Sequence, residues 1–573
     1  MLIGYIITLV TLASFVLMLA FAVRDRRDLS RILKFGINRY SAAALVIIVL
    51  LFALIALLFI HPVEQLYFDE NIYQGVALNI LHSGNALWCQ YGTGYLQSCY
   101  VNQLYHDIVG YDVFIAVTFA LFGAGAQTAY ALQLFAGIIS IIGVFLLVSV
   151  LSDRKEVAVF SAAVFASIPE LFIWVRTQAA PDVPFMMFTI ISSLFFVVLA
   201  KKPSFNKMMM FFMSLILVVY TREEGLLLIP AFALLYIAFG NSGIRRNAKD
   251  KISIAKHALS EPLPLIGITV FILFLMPILY YSALELQSPS YGNSSNQALF
   301  SLANFENNIQ PNIGFITATS DTVYPEVPSA LLVPLAVVGA IAIAFYGKWK
   351  NRFGMLLLLG VLAFSYFIFY PFFYAGAYNY GVDVRFVLET LPFVAVLSGF
   401  GIFGIGAAII YLIQRMVKRH VRTVILSTAV YSVLLATLVV YPFYVYAPKI
   451  TIPSSQMPQE SYPSNATSFF YSNYNAVPSN CLVFSFTPDL WYEYNRSAAQ
   501  IGYLSSANQS VSESFKQNYS CYVFDYDYWC TVPPYQDTLC SNIMSKYNTS
   551  VIASQSNGRG SYFAFYRLLN YSP

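Results

Sequence analysis

Apolar runs of roughly twenty residues recur along this chain, and no other feature limits its folding as strongly. A helix needs about 17 to 25 apolar residues to cross ~30 Å of hydrocarbon, and only helices and closed barrels satisfy every backbone polar group there. Twelve runs lie near residues 2–23, 41–61, 126–151, 157–174, 183–200, 207–221, 224–240, 263–283, 329–346, 353–373, 385–412 and 423–446. With 58% hydrophobic and only 10% charged residues, the chain falls outside the soluble globular range. The pattern predicts an α-helical polytopic membrane protein with about 12 transmembrane helices.

Lys and Arg set the expected orientation, because cytoplasmic loops collect them. Six lie between the first two runs, and alternating from that loop places 23 of the 32 on the inside. Both ends of the chain then fall outside, where loops 62–125 and 284–328 contain neither residue. All six cysteines (Cys89, Cys99, Cys481, Cys521, Cys530, Cys540) lie in segments read as external, as oxidised pairs would. So do the N-x-S/T sequons at Asn293, Asn465, Asn495, Asn508, Asn518, Asn548 and Asn570. The first run lacks a basic leader and its charges follow it, so it reads as an N-out anchor rather than a cleaved signal peptide.

Three domains are expected: an anchor and basic loop over 1–40, a membrane domain over 41–446, and an extracytoplasmic soluble domain over 447–573. In the first external loop, 62–125, Ile72, Tyr73, Val76, Ala77, Ile80 and Leu81 recur at helical spacing up to Gly84. This predicts an interfacial helix, with a second over 111–125. A Cys89–Cys99 bridge would close the small loop between them. Past Tyr446 the composition turns to Ser, Asn, Tyr and Pro, and "CLVFSF", "CYVFDYDYW" and "SYFAFYRL" read as strands of a small mixed α/β domain. Its four cysteines allow three pairings, and without a CxxC pair a zinc site is the weaker reading.

Charged residues gather where the runs meet the outer surface. "LYFDENIYQG" places Asp69 and Glu70 beyond the second run; "WVRTQAAPDVP" carries Arg176 and Asp182; "YTREEGLLLIP" carries Arg222, Glu223 and Glu224; "YNYGVDVRFVLETLP" carries Asp383 and Arg385. Asp69 or Asn71 could simply cap the following helix, and each Arg could snorkel or pair with a neighbouring acid. Four separate turns supplying such groups at one membrane level instead point to a site that binds an anion and does acid–base chemistry. Arg suits a phosphate because its rigid fork donates two parallel charge-assisted hydrogen bonds. The substrate implied is a phosphate tethered to lipid.

In these segments the chain resembles the GT-C fold glycosyltransferases, in the polyprenol-phosphate-sugar branch that contains protein O-mannosyltransferases and lipid A aminoarabinose transferases. "FDENIYQGVALNILHSG" looks like that family's first external loop. "RTQAAPDVPF", "TREEGLLLIP" and "DVRFVLETLPF" are similar to its second acidic loop, its basic-Gly-Pro turn and its late Arg-aromatic segment. In "ALFGAGAQTAYALQLFAG", Gln133 or a neighbour stands where the family commonly has Arg. The resemblance covers about 41–446. It implies Asp69 as the catalytic acid–base residue, Glu70 as its partner and Asp182 as a second acid. Arg222 and Arg385 would contact the lipid phosphate, with Arg176 as helper and Glu223 and Asp383 beside them.

Some members of that family bind a divalent metal in this cavity and others do not, so metal use stays open; no cofactor is required by the sequence. The implied activity is transfer of a sugar from a polyprenyl-phosphate donor to a hydroxyl of a protein, lipid or glycan on the extracytoplasmic face, by inverting displacement. Two alternatives are an oligosaccharyltransferase-like enzyme, suggested by "DLWYEYN" at 489–495, and a flippase or transporter of lipid-linked glycans. The latter would need polar residues at mid-membrane, and the runs are apolar.

Overall fold

The computed structural model describes residues 2–34, 38–60, 69–90, 99, 101–105, 107–177, 179–240, 262–285, 300–317, 327–345, 352–373, 376–378, 384–417, 423–441, 443–444, 464–504, 518–531, 539–556 and 562–569. Every predicted apolar run contains a helix. In chain order these are α1 (Leu2–Arg24), α3 (Arg39–Phe59), α6 (Ala126–Ser152), α7 (Lys155–Ala166) with α8 (Pro169–Thr177), α9 (Asp182–Lys201) and α10 (Phe205–Thr221). They continue with α11 (Leu228–Gly240), α12 (Pro262–Glu285), α14 (Val327–Phe345), α15 (Arg352–Phe369), α16 (Leu391–Val417) and α17 (Thr423–Leu435). The short amphipathic α2 (Arg26–Lys34) and α13 (Leu302–Thr317) lie between them.

Among the described residues, seven helices are long and apolar enough to cross a membrane, or eight if α7 and α8, bent by 62°, form one span. Four more apolar helices are shorter, at 110–122, 205–221, 331–345 and 425–440. Twelve apolar runs therefore do not give twelve full-length spans. The runs at 224–240 and 385–412 open in 3₁₀ turns, Glu223–Leu227 and Val384–Val387, before their α-helices start, and the second still leaves a helix long enough to span. Glu223, Glu224 and Arg385 of the charged rim lie in those turns.

Small residues bring the membrane helices close, since lipid offers no hydrophobic drive between them. A Cβ on Gly339 of α14 would stand 1.8 Å from the Leu397 carbonyl oxygen of α16, and one on Gly401 would stand 2.1 Å from that of Leu335. On α1, Phe15 meets Phe114 edge to face and Phe21 meets Phe205, which seats the first helix against the bundle. At the end of α1 predicted to be cytoplasmic, the Lys207 ammonium, buried on α10, pairs with Asp25 at 3.0 Å and Asp28 at 3.4 Å.

The loop 62–125, expected to be external, contains α4 (Asp69–Ser83), the hairpin β1 (Trp88–Gln90) with β2 (Val101–Gln103), and α5 (Gly110–Phe122). The Cys89–Cys99 disulfide closes the hairpin. Its helical periodicity predicts one buried face on α4, but every residue from Glu70 to Ile80 is buried. The reason is a second cover: the C-terminal domain also packs onto α4, with Asp489 against Gly75.

That domain begins with α18 (Ser464–Asn473) and carries a five-stranded sheet of order β4-β3-β5-β7-β6. The strands are β3 (Cys481–Ser485), β4 (Ser497–Gln500), β5 (Cys521–Tyr526), β6 (Thr549–Ser556) and β7 (Tyr562–Leu568). β3 runs parallel to both β4 and β5, while β7 is antiparallel to β5 and β6. Helices α19 (Pro488–Glu493) and α20 (Ser541–Lys546) complete it. The three predicted strands are present, and β4 and β6, of mixed small, polar and apolar residues, are additional. Of the three open pairings the fold adopts Cys481–Cys521 and Cys530–Cys540.

Candidate active site

Asp69 and Glu70 open α4, and because successive helical residues point about 100° apart, they face different neighbours. The half-buried Asp69 accepts a hydrogen bond from the Tyr105 hydroxyl at 2.7 Å. Glu70, fully buried, accepts one from the Tyr130 hydroxyl on α6 at 3.3 Å. Tyr105 is itself clamped: its N–H donates to the Tyr281 hydroxyl on α12 at 3.1 Å, and that hydroxyl donates back to the Tyr105 carbonyl at 3.0 Å. One turn along α4, the Tyr73 hydroxyl donates to Asp107 at 2.5 Å. Tyr73 meets the rings of Tyr105 and Tyr111 edge to face.

Electrostatics link this cluster to the other turns. Burial, then Asp107 and Asp69, push the Tyr73 phenol well above its ordinary range, while Arg385 acts in the opposite sense. Arg385 therefore lies within electrostatic reach of the residue that flanks Asp69. Burial raises Tyr111 as well, opposed by a hydrogen bond from Gln133 and reinforced by Asp112, Glu70 and Asp182. Gln133 donates to the Tyr111 hydroxyl at 2.5 Å and to the Ala180 carbonyl at 2.6 Å, which ties α5 to the turn before Asp182.

Asp182 and Arg222, on the turns that open α9 and follow α10, form a buried ion pair. Glu224 completes the grip on the guanidinium from two atoms, at 2.8 and 3.2 Å. Phe185 and Phe386 lie against its faces, with centroids 6.0 and 5.5 Å away. Glu223 turns to α12 and accepts from Ser282 at 3.2 Å. Arg385 rests over Phe386 at 5.0 Å, and Arg176, half-buried at the end of α8, lies within electrostatic range of Tyr130, the donor to Glu70. Asp383 falls outside the described residues.

Seven of the eight singled-out residues can thus be placed, and Asp69, Glu70, Asp182, Arg222, Arg385 and Arg176 connect through shared tyrosines and ion pairs. Sequence reading passed over Tyr105, Tyr73, Tyr111, Asp107 and Glu389. Glu389 is fully buried and within electrostatic range of Arg222, Asp182 and Glu224. A carboxylate inside the apolar "FVLETLPF" was the available signal for it; the tyrosines had none, because their partners are distant in sequence. Among the described residues no group of three or more His, Cys, Asp or Glu is disposed to hold a metal ion. His82 is exposed at the far end of α4, and His106 lies outside the described residues.

The oligosaccharyltransferase-like segment has a structural use. Trp491 is fully buried, and its indole N–H donates to Asp525 at 2.9 Å inside the soluble domain. Asp489 meets the Asp69-bearing loop: the Trp88 indole donates to its two carboxylate oxygens at 3.3 and 3.2 Å, and a Cβ on Gly75 would come within 2.0 Å of Oδ1.

Residues 109–281 match the family model described as dolichyl-phosphate-mannose-protein mannosyltransferase. No curated protein matches the sequence. Among solved structures, the chain is similar to ArnT from Cupriavidus metallidurans bound to undecaprenyl phosphate, with 12% identity and a TM-score of 0.55 over 93% of this chain and 99% of that one. It is also similar to the archaeal oligosaccharyltransferase AglB from Archaeoglobus fulgidus in complex with an inhibitory peptide and a dolichol-phosphate, with 12% identity and a TM-score of 0.52 over 92% and 74% of the two chains. Helix order, the charged turns and these likenesses converge: the chain has the GT-C glycosyltransferase fold, and its residues 109–281 carry the dolichyl-phosphate-mannose-protein mannosyltransferase pattern.

Proposed function

We propose that this protein transfers a glycosyl group from a polyprenyl-phosphate donor to an acceptor hydroxyl on the extracytoplasmic side of the membrane. The observation that carries the reading is the position of Asp69: its carboxylate is held by Tyr105 beside Tyr73, and Tyr73 is also within reach of the Arg385 guanidinium. A base and a cation then act on the same tyrosine, which supports a reading in which both serve displacement at a sugar phosphate. ArnT, similar in fold, was solved with undecaprenyl phosphate, and AglB with a dolichol-phosphate, which supports a lipid phosphate as the donor's carrier.

In the proposed step the acceptor oxygen attacks the anomeric carbon while its proton passes to Asp69. The bond from that carbon to the phosphate oxygen breaks, and polyprenyl phosphate leaves with the electron pair and inversion at carbon. Proton transfer of this kind contributes about 10² to 10⁴-fold. The leaving phosphate needs no acid; it needs positive charge where negative charge develops. In this reading Arg385 takes that role, and Arg176, within electrostatic range of Glu70's partner Tyr130, assists it. Arg222 already carries Asp182 and Glu224, so its contribution to the phosphate is smaller.

Purified protein incubated with radiolabelled polyprenyl-phosphate sugars and a membrane extract tests the reading. Label should move from lipid to an acceptor fraction, and Asp69→Asn should abolish the movement while donor binding persists. Near-normal turnover by Asp69→Asn would overturn the base assignment. Transfer of a whole oligosaccharide instead of one sugar would favour the oligosaccharyltransferase-like reading.

A further inference from the structure

A chain of side-chain contacts joins the C-terminal domain to Asp69, and the proposed displacement does not account for it. Asp489, in the first turn of α19, is 1% exposed and accepts from the Trp88 indole at 3.3 Å through Oδ1 and 3.2 Å through Oδ2. The Trp88 ring meets the Tyr105 ring edge to face, with centroids 5.7 Å apart. The Tyr105 hydroxyl then donates to Asp69 at 2.7 Å.

The backbone at each link is held separately, so the contacts act on side-chain orientation. Trp88 lies on the hairpin closed by Cys89–Cys99. Asn79 of α4 fixes that hairpin, donating to the Leu87 carbonyl at 2.7 Å and to the Asn102 side chain at 3.1 Å. The Tyr105 backbone is clamped in both directions by the Tyr281 hydroxyl. What the Tyr105 ring still needs is lateral support, which Tyr73 at 6.0 Å and Trp88 at 5.7 Å supply.

Docking alone would not call for Asp489. A buried carboxylate carries a desolvation cost that an apolar residue at the same contact would avoid. What it adds is direction, because an N–H aimed at an acceptor fixes the rotation of the indole and an apolar contact does not. Gly75 of α4 leaves the room this requires, since any Cβ there would stand 2.0 Å from Oδ1.

We infer that Asp489 and Trp88 are positioning residues for the transfer: Asp489 sets the rotation of the Trp88 ring, that ring holds Tyr105, and Tyr105 presents the Asp69 carboxylate to the acceptor. The inference rests on the glycosyl-transfer reading above and deepens it by making the C-terminal domain a working part of the site.

Transfer is measured on the full chain in lipid nanodiscs with a membrane extract and whichever radiolabelled decaprenyl-phosphate sugar the wild type uses. Asp489→Leu removes the acceptor and Trp88→Phe removes the N–H. Each should lower kcat by about 10- to 100-fold, the range for a reacting group displaced by up to about 1 Å. Donor KM and the Kd for decaprenyl phosphate should stay within about twofold. Both variants leave in place the groups that face Asp69 across this cluster, namely Tyr105, Tyr73 and Asp107, with Arg385 acting on Tyr73. The acid limb of kcat/KM should nevertheless move to higher pH, because a misplaced phenol no longer favours the ionised carboxylate. Asp489→Asn keeps an oxygen for the indole and should recover at least about a third of wild-type kcat.

In a Tyr105→Phe background both substitutions should be silent, since the hydroxyl through which they act is gone; a merely structural role would cost the same in either background. Fluorotyrosine placed at position 105 reads the link without turnover: its fluorine resonance should move in Asp489→Leu and return in Asp489→Asn. Should Asp489→Leu fail to fold, Trp88→Phe carries the same comparisons. Wild-type kcat and acid limb in the folded variants, equal losses in the Tyr105→Phe background, or an unmoved resonance overturns the inference, and the base reading then still stands on the loss of transfer in Asp69→Asn. Near-normal transfer by Asp69→Asn overturns the base and the catalytic use of this link together.

Discussion

Arg222 shows how one residue can be read correctly as important and still be assigned too simple a task. As a sequence feature it is a cation at the membrane rim; in the fold it is a partly buried cation, 14% exposed, held between Asp182 and Glu224. Arg222→Ala would leave Asp182, 1% exposed, as an uncompensated buried charge. Removing one partner of such a pair costs about 3–5 kcal/mol, so the variant should melt well below wild type. Arg385→Ala should instead melt almost normally and bind decaprenyl phosphate about 10-fold more weakly, as loss of a charge-assisted contact predicts. Tyr105→Phe removes the donor that favours ionised Asp69 while Tyr73, Asp107 and Arg385 remain in place. The acid limb of its kcat/KM profile should move to higher pH, because the carboxylate then needs a lower proton concentration to act as a base. A profile coincident with wild type would leave Tyr105 a merely structural role. Asp69, Asp182, Arg222 and Arg385 were legible as residues, since charge at a span end is conspicuous. Tyr105 and Tyr281 were not, because 176 residues separate them and tyrosine is abundant in this chain.

At the scale of elements, the hydrophobic runs located the helices, and periodicity located α4 but not its surroundings. Periodicity reports whether a face is apolar; it cannot report that a different part of the chain will bury the polar face too. Here α19 does so, with Asp489 lying over Gly75 where any side chain would collide. Gly75→Ala should therefore force α19 away from α4. Faster hydrogen exchange confined to residues 69–83 and 488–493, with the membrane helices unchanged, is the expected result; unaltered protection would show that the contact yields without cost. The strands β3, β5 and β7 were legible as apolar and aromatic stretches. β6, an edge strand whose Val551, Ile552 and Ala553 sit among Thr, Ser and Gln, was not, because its place in the sheet is set by pairing with β7 rather than by its own pattern.

At the scale of the whole molecule, the soluble domain carries its own response to pH. Burial pushes Asp525 up to about 6, against hydrogen bonds from Trp491 and Ser485, and burial also raises Asp527, reinforced by Asp525. A carboxyl raised in the folded state holds more protons there than in the unfolded chain, so its contribution is greatest at low pH and is lost as pH rises from about 4 to about 6. Exchange protection of β3 and β5, corrected for intrinsic rates, should weaken across that interval, and Asp525→Asn should flatten the change. Orientation can be tested on the same domain. Asn495, Asn518 and Asn548 are exposed sequon asparagines, and acquisition of glycans there in a eukaryotic secretory membrane would put the domain on the side the basic loops predict. Failure of all three to be modified would reverse it.

The clasp of Lys207 by Asp25 and Asp28 bears on how the protein can be handled. A truncation that begins at the second apolar run looks attractive, because the leading helix lies outside the segment that resembles the enzyme family. Such trimming strips both carboxylates from an ammonium that is 1% exposed, together with the aromatic contacts of Phe15 and Phe21. The shortened protein should therefore express poorly unless Lys207 is replaced by Met or Leu at the same time, and recovery of yield by that single compensating change would identify the leading helix as a stitched-in part of the scaffold rather than a removable tether.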